Sequence, residues 1–252
     1  LTYPLKYSSG AISHAGKVRQ VNQDAYLLCP DLGLWVVADG MGGYEDGDIA
    51  SQAIIKSLQN IQQVPDKLSD FLTQVEKHLL QVNMDLYDRT LNHSHLIGST
   101  VVALLAHQHH AIVLWAGDSR AYRYRAGQLE QLTQDHSQVE ELIEKGLLSP
   151  KEAETHPTSH IITRAIGVKP DLFLDLDIIT LSVNDMFLLC SDGLYREVTD
   201  LEMAELLAQP EQSCQTIAEQ LINLALSRQA KDNITIIVIR IHSALQENNP
   251  NE

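Results

Sequence analysis

Gly33-Leu34-Trp35-Val36-Val37-Ala38-Asp39-Gly40-Met41-Gly42-Gly43 is an apolar run that stops on an acid and a group of glycines. Bounded in this way, Gly33 to Asp39 reads as a buried strand that delivers a carboxylate at its end. Downstream, residues 48–61 place Ile49, Ala53, Ile54, Leu58 and Ile61 on one helical face, and Pro65 breaks the pattern. From Asp66, an N-cap candidate, Leu68, Phe71, Leu72, Val75, Leu79, Val82 and Leu86 recur at spacings of three and four, which predicts a long amphipathic helix. Ser99 to Ala106 and Ala111 to Ala116 read as a hairpin turned at His107-Gln108-His109-His110, and Ala121 to Arg125 continues as a strand.

Residues 135–165 are polar, carry Ser149-Pro150 and His156-Pro157, and show short helical pieces around Val139 to Lys145. They read as an excursion from the core. Strand patterns return at Leu172 to Ile179, Met186 to Cys190 and Ile234 to Ile241, with helices near 201–208 and 212–228. The order lacks a regular β-α-β alternation. It predicts an α+β layered sandwich of antiparallel sheets covered by helices. One domain over residues 1–242 is expected, followed by a polar tail at 243–252.

Further acids stand in similar settings: Asp24 in Asn22-Gln23-Asp24, Asp118 in Gly117-Asp118-Ser119, Asp192 in Ser191-Asp192-Gly193, and Asp232 in Lys231-Asp232-Asn233. If the fold gathers these strand ends, the repulsion between the carboxylates calls for cations, and hard divalent ions suit oxygen ligands. Asp39 is the candidate bridging ligand, with the Gly40 carbonyl beside it. Glycine there leaves room for an ion or a water. Two ions about 3.5–4 Å apart lower the pKa of a shared water and generate hydroxide near neutral pH. Attack on a phosphate ester is the reaction this favours. Arg19 offers a planar fork for the phosphate dianion, and Asn233 a hydrogen-bonding group for a phosphate oxygen or a bound water.

The whole chain agrees with this. At 252 residues it can bury a sizeable core, and its net charge of -15 argues against nucleic-acid or anionic-membrane surfaces. No apolar stretch is long enough to span a bilayer, and the N-terminal residues lack a basic region followed by an apolar run. Cys29, Cys190 and Cys214 are scattered and odd in number, so a reducing cytoplasm is the expectation. Blander readings compete at each position. An isolated Asp-Gly is usually a turn, and an arginine usually a surface ion pair. The histidines at 107, 109 and 110 fit a solvated loop better than a metal site, as do His93 and His95, and Cys190 fits a core position.

Taken in order, Arg19-x-x-Asn22-Gln23-Asp24, Val37-Ala38-Asp39-Gly40-Met41-Gly42-Gly43, Gly98-Ser99-Thr100, Gly117-Asp118-Ser119-Arg120, Ile162-Thr163-Arg164-Ala165-Ile166-Gly167, Ser191-Asp192-Gly193-Leu194 and Asp232-Asn233-Ile234-Thr235 resemble the metal-dependent protein serine/threonine phosphatases. This is the PPM, or type 2C, family in its compact bacterial form. The resemblance implies a four-layer α-β-β-α sandwich with a two-metal centre at one end. It implies manganese or magnesium as cofactor and a phosphorylated protein as substrate for a monomeric enzyme. By motif match Asp39, Asp192, Asp232 and the Gly40 carbonyl hold the metal pair and Asp24 supports it. Asp118 with Asp192 holds a weaker third ion, and Arg19 clamps the phosphate. Residues 135–165 match the flap beside the active site.

One departure stands out. Where many bacterial members carry histidine after the double glycine, this chain has Tyr44, the expected proton donor to the leaving serine oxygen unless a water on the third metal serves. His136 and His160 are expected to contact the phosphoprotein. Three rival readings remain. A non-catalytic phosphoprotein-binding module predicts missing metal ligands, yet the acids are all present. A hydrolase of small phosphoesters or nucleotides predicts base-stacking groups, against an aromatic content of 5%. A scaffold gives no reason for acids at strand ends.

Overall fold

A computed structural model of the chain describes residues 4–42, 46–92, 96–153 and 156–244. The strands are β1 (Leu5–His14), β2 (Asp24–Cys29), β3 (Leu34–Gly42), β4 (Ile97–Ser99), β5 (Val101–His107), β6 (His110–Ala116), β7 (Arg120–Arg125), β8 (Gln128–Gln131), β9 (Asp175–Thr180), β10 (Met186–Cys190) and β11 (Ile234–Ser243). The helices are α1 (Asp46–Leu58), α2 (Leu68–Asn92), α3 (Gln138–Glu144), α4 (Pro150–Ala153), α5 (Asp192–Tyr195), α6 (Asp200–Leu207) and α7 (Cys214–Ser227). The first sheet runs β1-β11-β10-β7-β8. The second runs β2-β3-β5-β6-β9, with β4 paired to β3. Every strand pairing is antiparallel.

Alternation along β3 explains the layering. Leu34, Val36 and Ala38 face α1 and α2, packing with Ile54, Leu58, Phe71, Val75 and Leu79. Trp35 and Val37 face the other sheet, among Leu104, Val113, Phe187, Leu189, Ile237 and Ile239. The outer face of the first sheet carries Leu188, Ile236 and Val238 against Met203, Ile217 and Leu221 of α6 and α7. Helix, sheet, sheet and helix therefore stack as four layers, as expected. Because both faces of β3 are covered, its sequence is a continuous apolar run and not an alternating one.

The boundaries differ in places. The long helix starts at Leu68 and runs to Asn92, and the strand expected from Leu172 begins at Asp175. Ile61 lies outside α1 yet is buried, while Ile49 on that helix is exposed. The strands β1, β2, β4 and β8 add to the expected set, and the run expected from Ser99 to Ala106 begins as β5 at Val101. All ten residues of β1 pair with β11, so this mixed polar segment is made a strand by its partner. Within residues 135–165, Ser137 caps α3 by accepting from Glu140 N–H, and a bridge joins Ser137 to Ile162. The tail expected at 243–252 lies outside the described residues from 245 on.

Candidate active site

The antiparallel register of β2 and β3 sets Asp24 directly opposite Asp39. Like charges in that relation repel. Asp24 is buried. Its Oδ2 accepts from the Ser191 hydroxyl at 2.7 Å, whereas its Oδ1 is buried without a hydrogen-bond partner. Burial, then the neighbouring Asp192 and Asp232, push its pKa up to about 7 against the bonds it accepts. Asp39 is half-buried, and burial together with Asp24, Asp192, Asp118 and Asp232 raises its carboxyl well above the usual range. Its backbone is fixed from the next strand: its carbonyl accepts from Thr100 N–H at 2.9 Å and from the Ser99 hydroxyl at 3.0 Å. The Thr100 hydroxyl meets that of Ser119 at 2.7 Å, tying this strand end to the Asp118 turn.

The first sheet supplies the other three acids. Asp118 follows Gly117 in the turn before β7, is buried, and has its Oδ1 unpartnered. Burial, then Asp192, raises its pKa to about 7. The Tyr195 hydroxyl donates to the Asp118 carbonyl at 3.0 Å, and the Arg120 guanidinium lies 3.7 Å above the Tyr195 ring. Asp192 opens α5 just after β10 and pairs with Arg196 at 2.8 Å; burial raises its pKa while Arg196 opposes that rise. Asp232 lies two residues before the start of β11 and pairs with Arg19 at 2.8 Å.

The acids expected at one rim are thus neighbours, drawn from both sheets. Among the described residues, no three His, Cys, Asp or Glu side chains form a ready-made metal cage. Arg19 and Arg196 instead neutralise Asp232 and Asp192. The donor set still fits hard divalent cations: all-oxygen, crowded with like charge, and including two buried carboxylate oxygens that nothing in the protein satisfies.

Gly40 occupies its expected place for a reason the sequence does not reveal. A Cβ there would lie 1.9 Å from the Gly47 carbonyl oxygen of α1 and 2.6 Å from that of Gln23. The missing side chain lets α1 pack on the end of β3. Tyr44 lies outside the described residues, as do His93 and His95.

Two expectations are corrected. Asn233 is buried, and its side chain is fully used within the protein. Its Oδ1 accepts from Gln23 N–H at 2.8 Å, and its Nδ2 donates to the carbonyls of Ala15 and Val21 at 3.0 Å each. It staples the Arg19–Asp24 loop to β11 and does not face a substrate. His136, expected to touch the phosphoprotein, is only 9% exposed and bonds to Gly117 and Asp175. His160 is exposed.

Residues that sequence reasoning missed include Ser191, Arg196 and Tyr195. The i,i+4 spacing of Asp192 and Arg196 was the available signal.

With this geometry in hand, the comparisons define a class. The profile described as Protein phosphatase 2C matches residues 13–235, and the chain belongs to that family. It is 33% identical over 235 residues to "Serine/threonine phosphatase stp" of Listeria monocytogenes serotype 4b, covering 89% of this chain and 92% of the relative. It is 30% identical over 243 residues to "Protein phosphatase PhpP" of Streptococcus pneumoniae serotype 2, covering 92% and 96%. Among solved structures it is similar to PppA, described as a key regulatory component of T6SS in Pseudomonas aeruginosa. The TM-score is 0.86 at 39% identity, covering 94% of this chain and 98% of that one. The catalytic domain of the serine threonine protein phosphatase PstP, in complex with 2 manganese ions, matches with TM-score 0.84 at 30% identity, covering 95% and 100%.

Proposed function

We propose that this chain removes phosphate from phosphoserine and phosphothreonine in proteins, with divalent ions held by Asp39, Asp192, Asp232 and the Gly40 carbonyl. Asp24 and Asp118 complete the acidic set, and Asp118 with Asp192 is the place for a weaker third ion. The observation that carries this reading is the meeting of five aspartates from two sheets, two of them with buried, unsatisfied oxygens. The two manganese ions named for PstP support manganese as the metal.

Bound ions would lower the pKa of a water and neutralise charge developing on the phosphoryl group. The protein's own residues do the rest. Arg19 is 56% exposed at the rim, beside Asp232, and its fork can turn outward to hold two phosphate oxygens. The carbonyl contacts from Ser99 and Thr100 hold the Asp39 backbone still, so that its carboxylate is positioned before substrate arrives. A serine alkoxide leaves poorly without a proton, and our reading gives that role to Tyr44, or to a water on the third ion. His160, exposed on the excursion, is the assigned contact for the protein part of the substrate.

The test is phosphate release from an aryl phosphate and a phosphothreonine peptide with and without manganese. Activity that chelator abolishes, and that Asp39→Ala reduces by at least about a hundredfold, is expected. A wild-type chain that binds phosphopeptide without cleaving it would instead make it the phosphoprotein-binding module. Substituting phenylalanine at Tyr44 with no change in turnover at any pH removes that residue from the chemistry.

A further inference from the structure

His136 is buried at the root of the 135–165 excursion, and its four polar atoms reach three places: Gly117 twice, Thr163 and Asp175. Its Nδ1 accepts from Gly117 N–H at 3.1 Å, and its own backbone N–H donates to the Gly117 carbonyl at 2.9 Å. Its carbonyl accepts from Thr163 N–H at 2.8 Å, where the excursion returns. Because Nδ1 accepts, the ring proton sits on Nε2, which donates to Asp175 Oδ2 at 3.1 Å. The other Asp175 oxygen takes Arg164, also at the end of the excursion. The imidazole stacks on Trp115 with ring centroids 6.2 Å apart and planes 14° from parallel.

The partner that matters is Gly117. It holds φ +118°, a conformation suited to glycine, and a Cβ there would lie 2.5 Å from the Thr100 side chain. Next in sequence is Asp118, whose Oδ1 has no partner and whose Oδ2 has only Arg196 at 3.8 Å, so the backbone of this turn sets where its carboxylate starts from and Arg196 draws on one oxygen alone. The turn is gripped on one side by His136 and on the other by the Tyr195 hydroxyl at the Asp118 carbonyl.

We propose that His136 is a positioning residue: it holds the Gly117–Asp118 turn so that Asp118 faces the other acids, and it does so through contacts that also seat both ends of the excursion. The seating of residues 135–165 is thereby coupled to the acidic centre by one imidazole. The link to metal binding rests on the function proposed above; the grip on Gly117 does not.

Three substitutions in the full chain separate the legs. In His136→Asn, Oδ1 stands where Nδ1 was and still accepts from Gly117, while the Asp175 bond is lost. In His136→Gln, the amide reaches Asp175 as donor, and Gly117 N–H loses its acceptor. His136→Phe keeps the stack on Trp115 and loses both bonds.

The first measurement is metal-free hydrogen exchange of the Gly117 amide. Exchange faster by on the order of tenfold in the Gln and Phe variants, with the Asn variant near wild type, is expected. Equal exchange in all four proteins overturns the assignment.

The second is a manganese binding isotherm with aryl phosphate kinetics. Loss on the order of tenfold at the weakest site, with the tighter sites unchanged, is expected in the Gln and Phe variants alone. That loss should appear in kcat and not in KM. An Asn variant as impaired as the Phe variant would reduce the residue to packing. A wild-type chain that binds no manganese but shows the exchange pattern would refute the phosphatase reading and leave the positioning role standing.

Discussion

The metal-free protein should grow less stable as pH rises from 5.5 to 8, which is the reverse of ordinary acid denaturation. Asp24 and Asp118 each have a folded pKa of about 7 against an ordinary aspartate value of 3.8. A folded value above the unfolded one means the native state holds the proton more tightly. The penalty for ionising each group is absent below 3.8, grows between, and is complete above 7. At about 1.4 kcal/mol per pH unit, each group costs about 2 kcal/mol at pH 5.5 and about 4 kcal/mol at pH 8. The two share some of their repulsion, so their joint loss across this window is about 2–4 kcal/mol. For a chain of this size that corresponds to a fall in Tm of roughly 5–15 °C. His136 acts in the opposite sense, because burial lowers its pKa and the unfolded chain takes up that proton first on acidification. It is one group against the two acids and the further raised carboxyls of Asp39 and Asp192. Scanning calorimetry of chelator-dialysed protein reads the effect. Manganese should raise Tm more at pH 8 than at pH 5.5, since it relieves a penalty that acid has already removed. A metal-free Tm that stays level or climbs between pH 5.5 and 8 would refute the reasoning.

Substituting Asn233 by alanine leaves Gln23 N–H and two carbonyls without their partner. A loss of about 2–3 kcal/mol, read from the urea midpoint, is expected; a raised KM at unchanged stability would restore the phosphate-contact reading. Arg19→Ala breaks only an exposed ion pair, so Tm should hold within about 2 °C while kcat/KM on an aryl phosphate falls at least about tenfold. Gly40→Ala forces a methyl to 1.9 Å from the Gly47 carbonyl, and a cost above about 3 kcal/mol is expected. Gly42→Ala, whose Cβ would sit 3.1 Å from Asp46 Cβ, should cost clearly less by the same thermal melt.

What could be read from the sequence was whatever the chain encodes locally. The apolar run into Asp39 is visible because both faces of β3 are covered, and α2 is visible because only one of its faces is. Four of the five acids are visible because each stands beside glycine or a small polar residue, and Asp24 because it closes the polar Asn22-Gln23-Asp24 run. β1 was not legible: Leu5–His14 mixes serines and glycine with apolar residues, and it is a strand because β11 pairs with all of it. Nor was the fate of Asn233. An amide serves a phosphate and a backbone loop equally well, and only the position of Gln23, Ala15 and Val21 decides between them. The sequence alone puts His136 with the substrate, because histidine on a polar segment resembles a contact residue. Its burial against Trp115 depends on how the excursion closes back onto the sheet.

The five aspartates do not belong to one sheet. Asp24 and Asp39 travel with one, and Asp118, Asp192 and Asp232 with the other, so the rim where they meet is a seam between two bodies. The filling of the sandwich, with Trp35, Leu104 and Phe187 at its centre, acts as the gauge that fixes how far apart the two banks of that seam stand. A thinner or thicker filling would slide one bank past the other and respace carboxylates that no mutation had touched. Divalent ions gripping both banks would in turn resist that slippage, so the sandwich interior and the chemistry at its edge set each other's tolerances.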